Sequence, residues 1–317
     1  MKTMRLAPFF SGAVLSLMLL GVSTPASAAG AGLDAKQLPE KTRAELRAEI
    51  DKARAETPEL FKTVENIAAR AKELDASARA PGIPLTMHFK PLGQRAFYPL
   101  LDTLVFDAHA KDLPPSAAAA LRLGLIEAVG AIRDARAIPV LAKILEVAGD
   151  DQTARAAAEG LARIGTDSAL DILTSAATKA KTPERGNDRE RAILAGMHDA
   201  RRERAARFLA KRLQEKPDDE TARVLAKSLG GVGNAWAWKT LSNQTEASAT
   251  RSIAAAALLD AYVRATADVR EQAAKALLVV DDPNTPSLIA QAKKGASADV
   301  TALLDELDRR FAANPAR

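Results

Sequence analysis

Four decapeptides of one pattern constrain this chain more than any other feature. They are IRDARAIPVL from Ile132, IGTDSALDIL from Ile164, VGNAWAWKTL from Val232 and VDDPNTPSLI from Val280. In each, an apolar residue closes one stretch, a short polar turn follows, and a second stretch opens with apolar residues at fixed offsets. MHDARRERAA from Met197 is a poorer copy in the same phase, and successive turns up to Val232 lie 32, 33 and 35 residues apart. A second motif sets the same register: DDQTAR (Asp150 to Arg155) and DDETAR (Asp218 to Arg223) each place their arginine nine residues before the turn's apolar residue. Self-similarity at such a period marks one supersecondary unit stacking on the next. A single unit cannot bury its own apolar face, so neighbours build a continuous core and a curved ribbon with a concave surface. Between Val232 and Val280 the interval stretches to 48 residues, which leaves room for an inserted helix.

The repeated unit is a helix pair. Alanine is frequent throughout the 317 residues, aromatics make up only 4%, and few stretches alternate with the period of a strand. Alanine has the highest helix propensity and permits close helix approach, whereas strands favour β-branched and aromatic residues. These residues resemble the HEAT family, in particular the short bacterial HEAT-like repeats also found in phycobilisome lyases. That pattern runs roughly D-x-x-V-R-x-x-A-x-x-A-L-x-x-I-G-D-P-x-A-I-P-x-L. Asp151, Arg155, Ala158, Leu161, Ile164, Gly165, Ala169 and Leu173 match it, and Ile132, Asp134, Ala137, Ile138, Pro139 and Leu141 form its best turn. The resemblance implies an all-α, right-handed solenoid of five or six antiparallel helix pairs over residues 95–317, and a role in binding protein partners.

Upstream of the repeats, residues 29–80 read as an amphipathic helical hairpin. Leu46, Ile50 and Ala53 share one face, and Leu60, Val64, Ile67, Ala71 and Leu74 form a stripe behind the start at Thr57-Pro58-Glu59. There the threonine is expected to cap and the proline to occupy the first helical position. Residues 81–94, with three prolines and two glycines, read as a non-helical loop. Before all of this, Lys2 and Arg5 precede an apolar stretch, Leu6 to Val22, and Ala26-Ser27-Ala28 follows. That order is a secretory signal peptide over residues 1–28, which predicts a mature chain from Ala29 in the periplasm or outside the cell. No later stretch is long and apolar enough to be expected to cross a bilayer. Loss of Lys2 and Arg5 lowers the formal charge from +5 to +3. The sequence contains no cysteine, so lipoprotein attachment and disulfides are both excluded.

Catalytic patterns are weak. His88, His109 and His198 are far apart in the sequence, form no metal-binding pair and have no cysteine to assist them. Ser228 lies in AKSLG, similar to a nucleophile elbow, but all three histidines precede it and its segment fits a repeat helix. GGVGNAW from Gly230 puts Trp236 where a dinucleotide loop needs its third glycine. No enzyme activity, cofactor or metal is therefore expected, and a bilin-lyase role conflicts with the export signal.

Two surface features are candidates for partner binding. Residues 185–212 carry nine basic residues against four acidic ones, and Arg204, Arg207 and Lys211 share a helical face opposite Ala205, Phe208, Leu209 and Leu213. Such a stripe fits an acidic protein or, alternatively, an anionic envelope polymer or lipid headgroup. Nucleic acid fits poorly, since no aromatics interleave the charges. Trp238 falls at a core position of the repeat and Trp236 at a surface one, where it either anchors an interface or packs beneath an inserted helix. An aspartate ahead of Arg155 in DDQTAR and of Arg223 in DDETAR is expected to cap its helix, with the arginine one turn on available to pair with that aspartate or with the neighbouring repeat's.

Overall fold

The computed structural model describes residues 31–106, 112–180, 187–241 and 244–314. The leader expected over residues 1–28, His109 and Arg185 lie outside them. All regular elements among the described residues are helical, and the architecture is an all-α solenoid.

The stack begins with α6 (Pro115–Ile132) and α7 (Ile138–Val147), followed by α8 (Asp151–Ile164) with α9 (Asp167–Ala180) and α10 (Asp188–Gly196) with α11 (Glu203–Gln214). Each boundary has a local cause. The Asp150 carboxylate accepts the Thr153 N–H at 2.7 Å and caps α8, and Asp218 does the same for α12 (Asp219–Val232) through Thr221 at 2.9 Å. Gly165, at φ +67°, turns the chain out of α8 in a conformation that L side chains resist.

The first helices of successive pairs, α6, α8, α10, α12 and α15 (Ala267–Val280), stack directly on one another. Small residues allow this. A Cβ on Gly130 of α6 would lie 2.5 Å from the Cα of Gly160 in α8, and one on Gly196 of α10 would lie 2.8 Å from the Arg155 carbonyl. Ala154, Ala157, Ala158 and Leu161 are fully buried along the same seam. Each second helix then packs against the next first helix, as α7 does on α8 and α11 on α12.

The 48-residue interval contains less extra helix than expected. Its insert is α13 (Ala235–Trp238), a single turn, and α14 (Gln244–Arg264) is the second helix of the α12 pair, lengthened to 21 residues. Helices α16 (Thr285–Lys293) and α17 (Ala298–Ala312) follow, with Ile289, Leu304, Leu307 and Phe311 buried.

The N-terminal region differs from the two-helix reading. It forms α1 (Glu40–Glu56), α2 (Pro58–Ala69) and α3 (Ala71–Ser77). Thr57 precedes α2, but its hydroxyl donates back to the Ala53 carbonyl of α1 at 3.1 Å and makes no cap bond. Helices α1 and α2 pack on α5 (Phe97–Val105) and α3 packs on α6; α1 is tied to α5 by Asp102, whose carboxylate takes Arg47 at 3.1 Å and also Arg54. The two guanidiniums lie over Phe106 and Phe61. Ahead of α1, Ala31 and Leu33 are buried, and the Leu33 N–H donates to the Leu104 carbonyl at 3.1 Å.

Residues 81–94 are not helix-free. Between Pro84 and Pro91 the chain fits one helical turn, α4 (Thr86–Phe89), and buries Leu85 and Phe89. Gly124 of α6 makes room for the Leu85 backbone, whose N–H donates to the Ala120 carbonyl at 3.0 Å. Proline interrupts a helix interior but is tolerated in a first turn, so Pro84 and Pro91 limit α4 to a single turn, and Pro91 itself sits in the first turn of the 3-10 turn Lys90–Leu92.

Candidate protein-interaction face

Helices α7, α9 and α11 are the second members of three consecutive pairs, and their outward sides form one face. A groove of about 910 Å³ opens between α7 and α9, bounded on one side by Gln37, Pro39 and Thr42 at the start of α1 and reaching Arg189 and Ile193 of α10, with α11 outside its lining. Its floor is largely carbon: Pro139, Ala142 and Leu145 from α7, and Ile172, Ala176 and Ala180 from α9. Ile172, Ala176 and Ala180 recur every four residues because that spacing returns to one side of a helix. Lys143, Glu146, Asp171, Ser175 and Lys179 supply the polar rim. Lys143 pairs with Glu146 at 3.1 Å, and Asp171 pairs with Arg204 of α11. Lys179 has no ion pair among the described residues.

Helix α11 continues this face with the sequence-predicted stripe. Arg204, Arg207 and Lys211 are exposed, while Ala205, Leu209 and Leu213 are buried and Phe208 is half-buried. Lys211 has no ion pair among the described residues, whereas Arg207 is held by Glu203 one turn back, at 2.7 Å.

The rest of the basic segment is not a free cationic surface. Arg191 faces Asp188, Asp218 and Glu220, and Arg202 reaches Glu246 and Asp167, both at 2.9 Å. Arg189 donates to the Leu145 and Asp150 carbonyls. Arg212 is buried and paired with Glu190, which is 1% exposed, and with Glu215. Most of these acids come from neighbouring repeats, so the segment's excess charge is largely spent joining one pair to the next.

The cap aspartates take part in the same joining. Asp150 pairs with Arg122 of α6 at 3.2 Å, and Asp218 lies 3.6 Å from Arg191 of α10. Arg155 and Arg223, the motif's own arginines, instead point outward and make no ion pair among the described residues. Burial pushes the Asp218 carboxyl up, but hydrogen bonds from Thr221 and Asn187 and the charge of Arg191 outweigh it and hold it down at about 2.

Trp236 is 75% exposed, with the Lys239 ammonium 5.0 Å from its ring centre, and so does not pack beneath a neighbouring helix. Trp238 is buried, and its indole N–H donates to the Val232 carbonyl at 2.8 Å. Trp236 stands with Val279 at the edge of a small cavity of about 270 Å³. Its position in α13 separates it in the fold from the α11 stripe.

One titratable cluster was not evident from the sequence. Glu159, His198 and Asp199 bring their ligand atoms within 4.8 Å of one another. Arg163 pairs with both carboxylates and Arg201 pairs with Asp199 at 3.0 Å. Burial pushes Asp199 up, but His198, Arg201 and Arg163 more than reverse that and hold its carboxyl below the usual range. Two guanidiniums therefore already occupy the positions where a metal would need uncommitted carboxylates, and the cluster reads as an ionic clamp between α8 and the turn after α10. Ser228 is buried and its hydroxyl donates to the Leu194 carbonyl at 2.8 Å, a helix-to-helix bond.

The family described as HEAT repeats matches residues 113–195, which span α6 through α10 and include most of the groove lining. No curated protein matches the chain.

Proposed function

We propose that this protein is a non-catalytic, exported interaction scaffold that holds a partner protein against the face formed by α7, α9 and α11. The observation that carries the reading is the open groove between α7 and α9, with its floor of alanine, proline, leucine and isoleucine side chains and its charged rim. An apolar centre within a polar border is how protein interfaces are organised, and HEAT repeats generally serve as interaction surfaces. The shape suits a chain segment better than a small substrate, because the groove is open and mostly apolar. Export rests on the sequence alone, through Lys2, Arg5, the apolar stretch from Leu6 and the Ala26-Ser27-Ala28 site.

Binding to an anionic polymer or lipid headgroup is the second reading, favoured by the exposure of Arg204, Arg207 and Lys211. The ion pairs of Arg204 and Arg207 weigh against it, since an added anion must compete with acids already in place.

Replacing Arg204, Arg207 and Lys211 together with glutamate tests the location. The expected result is lost partner capture with an unchanged helical circular dichroism spectrum; unchanged capture would place the interface elsewhere. Sequencing the mature N-terminus tests export, with Ala29 expected in the fraction released by osmotic shock. An intact Met1 in washed membranes would overturn that part.

A further inference from the structure

The charges along the α7–α9–α11 face are unevenly balanced, and this indicates what the groove accepts. At one level the Asp171–Arg204 pair joins α9 to α11 and cancels both charges. Lys179 lies eight residues beyond Asp171, and Lys211 seven beyond Arg204. At about 1.5 Å per residue these are advances of about 12 and about 10.5 Å. Since α9 and α11 run in the same direction as second helices of consecutive pairs, the two lysines lie at about the same level, two turns past the bridge, Lys179 at the groove's rim and Lys211 on α11 beyond its lining. Both side chains are exposed, and neither has an ion pair among the described residues. Lys143 and Glu146 cancel on α7. Among the described residues, one end of the face is therefore neutral and the other carries two cations without an ion pair, Lys179 at the rim of the apolar floor and Lys211 on the neighbouring α11.

We infer that the groove receives an amphipathic helical segment of a protein partner, with small apolar residues toward Ala142, Ile172 and Ala176 and carboxylates toward Lys179 and Lys211. This deepens the scaffold reading and rests on it. The alanines let a helical cylinder approach closely, and the floor's four-residue spacing matches a helix laid in a groove, which is read through anchors at such intervals. The two lysines set the direction of the bound segment, because opposite charges fix register across an interface and like charges oppose it.

The test uses two fluorescein-labelled helical peptides of about 15 residues, built from alanine and leucine. They are identical except that one carries two glutamates on its final turn and the other two lysines. Fluorescence anisotropy should show the glutamate peptide binding the full-length protein at least tenfold more tightly than the lysine peptide. Lys179→Glu with Lys211→Glu should invert that order, and Ala176→Arg should remove binding of both while circular dichroism stays unchanged. Equal binding of the two peptides, no binding of the glutamate peptide, or binding that survives Ala176→Arg would each overturn the inference. If the peptides fail in one of these ways while the Arg204, Arg207 and Lys211 replacement still abolishes partner capture, the groove's role falls and the scaffold reading stands.

Discussion

Replacing Arg212 with methionine should be among the most damaging single changes in the stack, and its effect should depend on pH in a defined direction. Arg212 and Glu190 tie α11 to α10, with side chains 8% and 1% exposed and the Arg212 Nε 3.0 Å from the Glu190 Oε1. Among the described residues, both hydrogen bonds to the Glu190 carboxylate come from Arg212. Methionine fills much of the same space but strands that carboxylate. The buried group must then either stay ionised without a partner or take up a proton. Protonating a glutamate of ordinary pKa near 4.3 costs about 1.4 kcal/mol per pH unit above it, hence about 4 kcal/mol at pH 7 and about 1 kcal/mol at pH 5. This agrees with the ~3–5 kcal/mol typical of removing one partner from a buried pair. The sign follows from linkage: the stranded acid has a folded pKa above its unfolded one, so the destabilisation grows as pH rises. Urea unfolding followed by circular dichroism should show about 3–5 kcal/mol lost at pH 7 and most of it regained at pH 5. Adding Glu190→Leu should bring the double variant to within about 1–2 kcal/mol of the parent, because the pair's own net contribution is small. A loss below about 1 kcal/mol at pH 7, or a loss equal at both pH values, would mean that Arg212 is not what keeps the Glu190 carboxylate ionised.

Further outcomes follow from the same geometry. Gly196→Ala should destabilise by about 1–3 kcal/mol, because its new Cβ meets backbone atoms of α8 under 3.0 Å, whereas Gly149→Ala, with nothing within 4 Å, should be close to neutral in the same unfolding assay. Trp238→Ala should lose about 3–5 kcal/mol as a buried aromatic and Trp236→Ala no more than about 0.5 kcal/mol, read as shifts in urea midpoint. Asp218, held at about 2, and Asp199, also lowered, lend stability that is present above about pH 4 and lost as pH falls towards 2. Asp218→Asn should flatten that acid limb, by no more than about 1 kcal/mol because its side chain is partly exposed and screened.

The legible parts of this fold were those decided within one repeat. Asp150 and Asp218 cap their helices because an aspartate three residues before a free N–H does so regardless of what packs above it. Trp238 could be placed in the core from its offset within the turn. The features that sequence reading missed depend on other repeats or on very short elements. The partners of the basic segment, Asp167, Asp171, Asp218 and Glu246, lie on α9, α12 and α14, or at their ends, so a count of local charge overstated the free cations. Helix α4 is a single turn between two prolines, below the length at which apolar periodicity shows. The groove depends on where the start of α1 comes to rest beside α7 and α9, a juxtaposition across more than 90 residues of chain that no spacing encodes. Its one local signal was the run of Ile172, Ala176 and Ala180 at helical spacing, with two alanines where a buried stripe would usually carry larger residues.

Site-specific photocrosslinking in the intact, full-length protein reads out whether partners are held on the second-helix face. A photoreactive residue placed at Ser175 or Lys211 samples that face, and one at Gln152 or Lys227 samples exposed positions on the first helices. The account predicts a shared adduct from Ser175 and Lys211, absent from Gln152 and Lys227 and lost when Arg204, Arg207 and Lys211 are replaced with glutamate in the Ser175 probe. Adducts forming at Gln152 and Lys227 but not at Ser175 and Lys211 would contradict it.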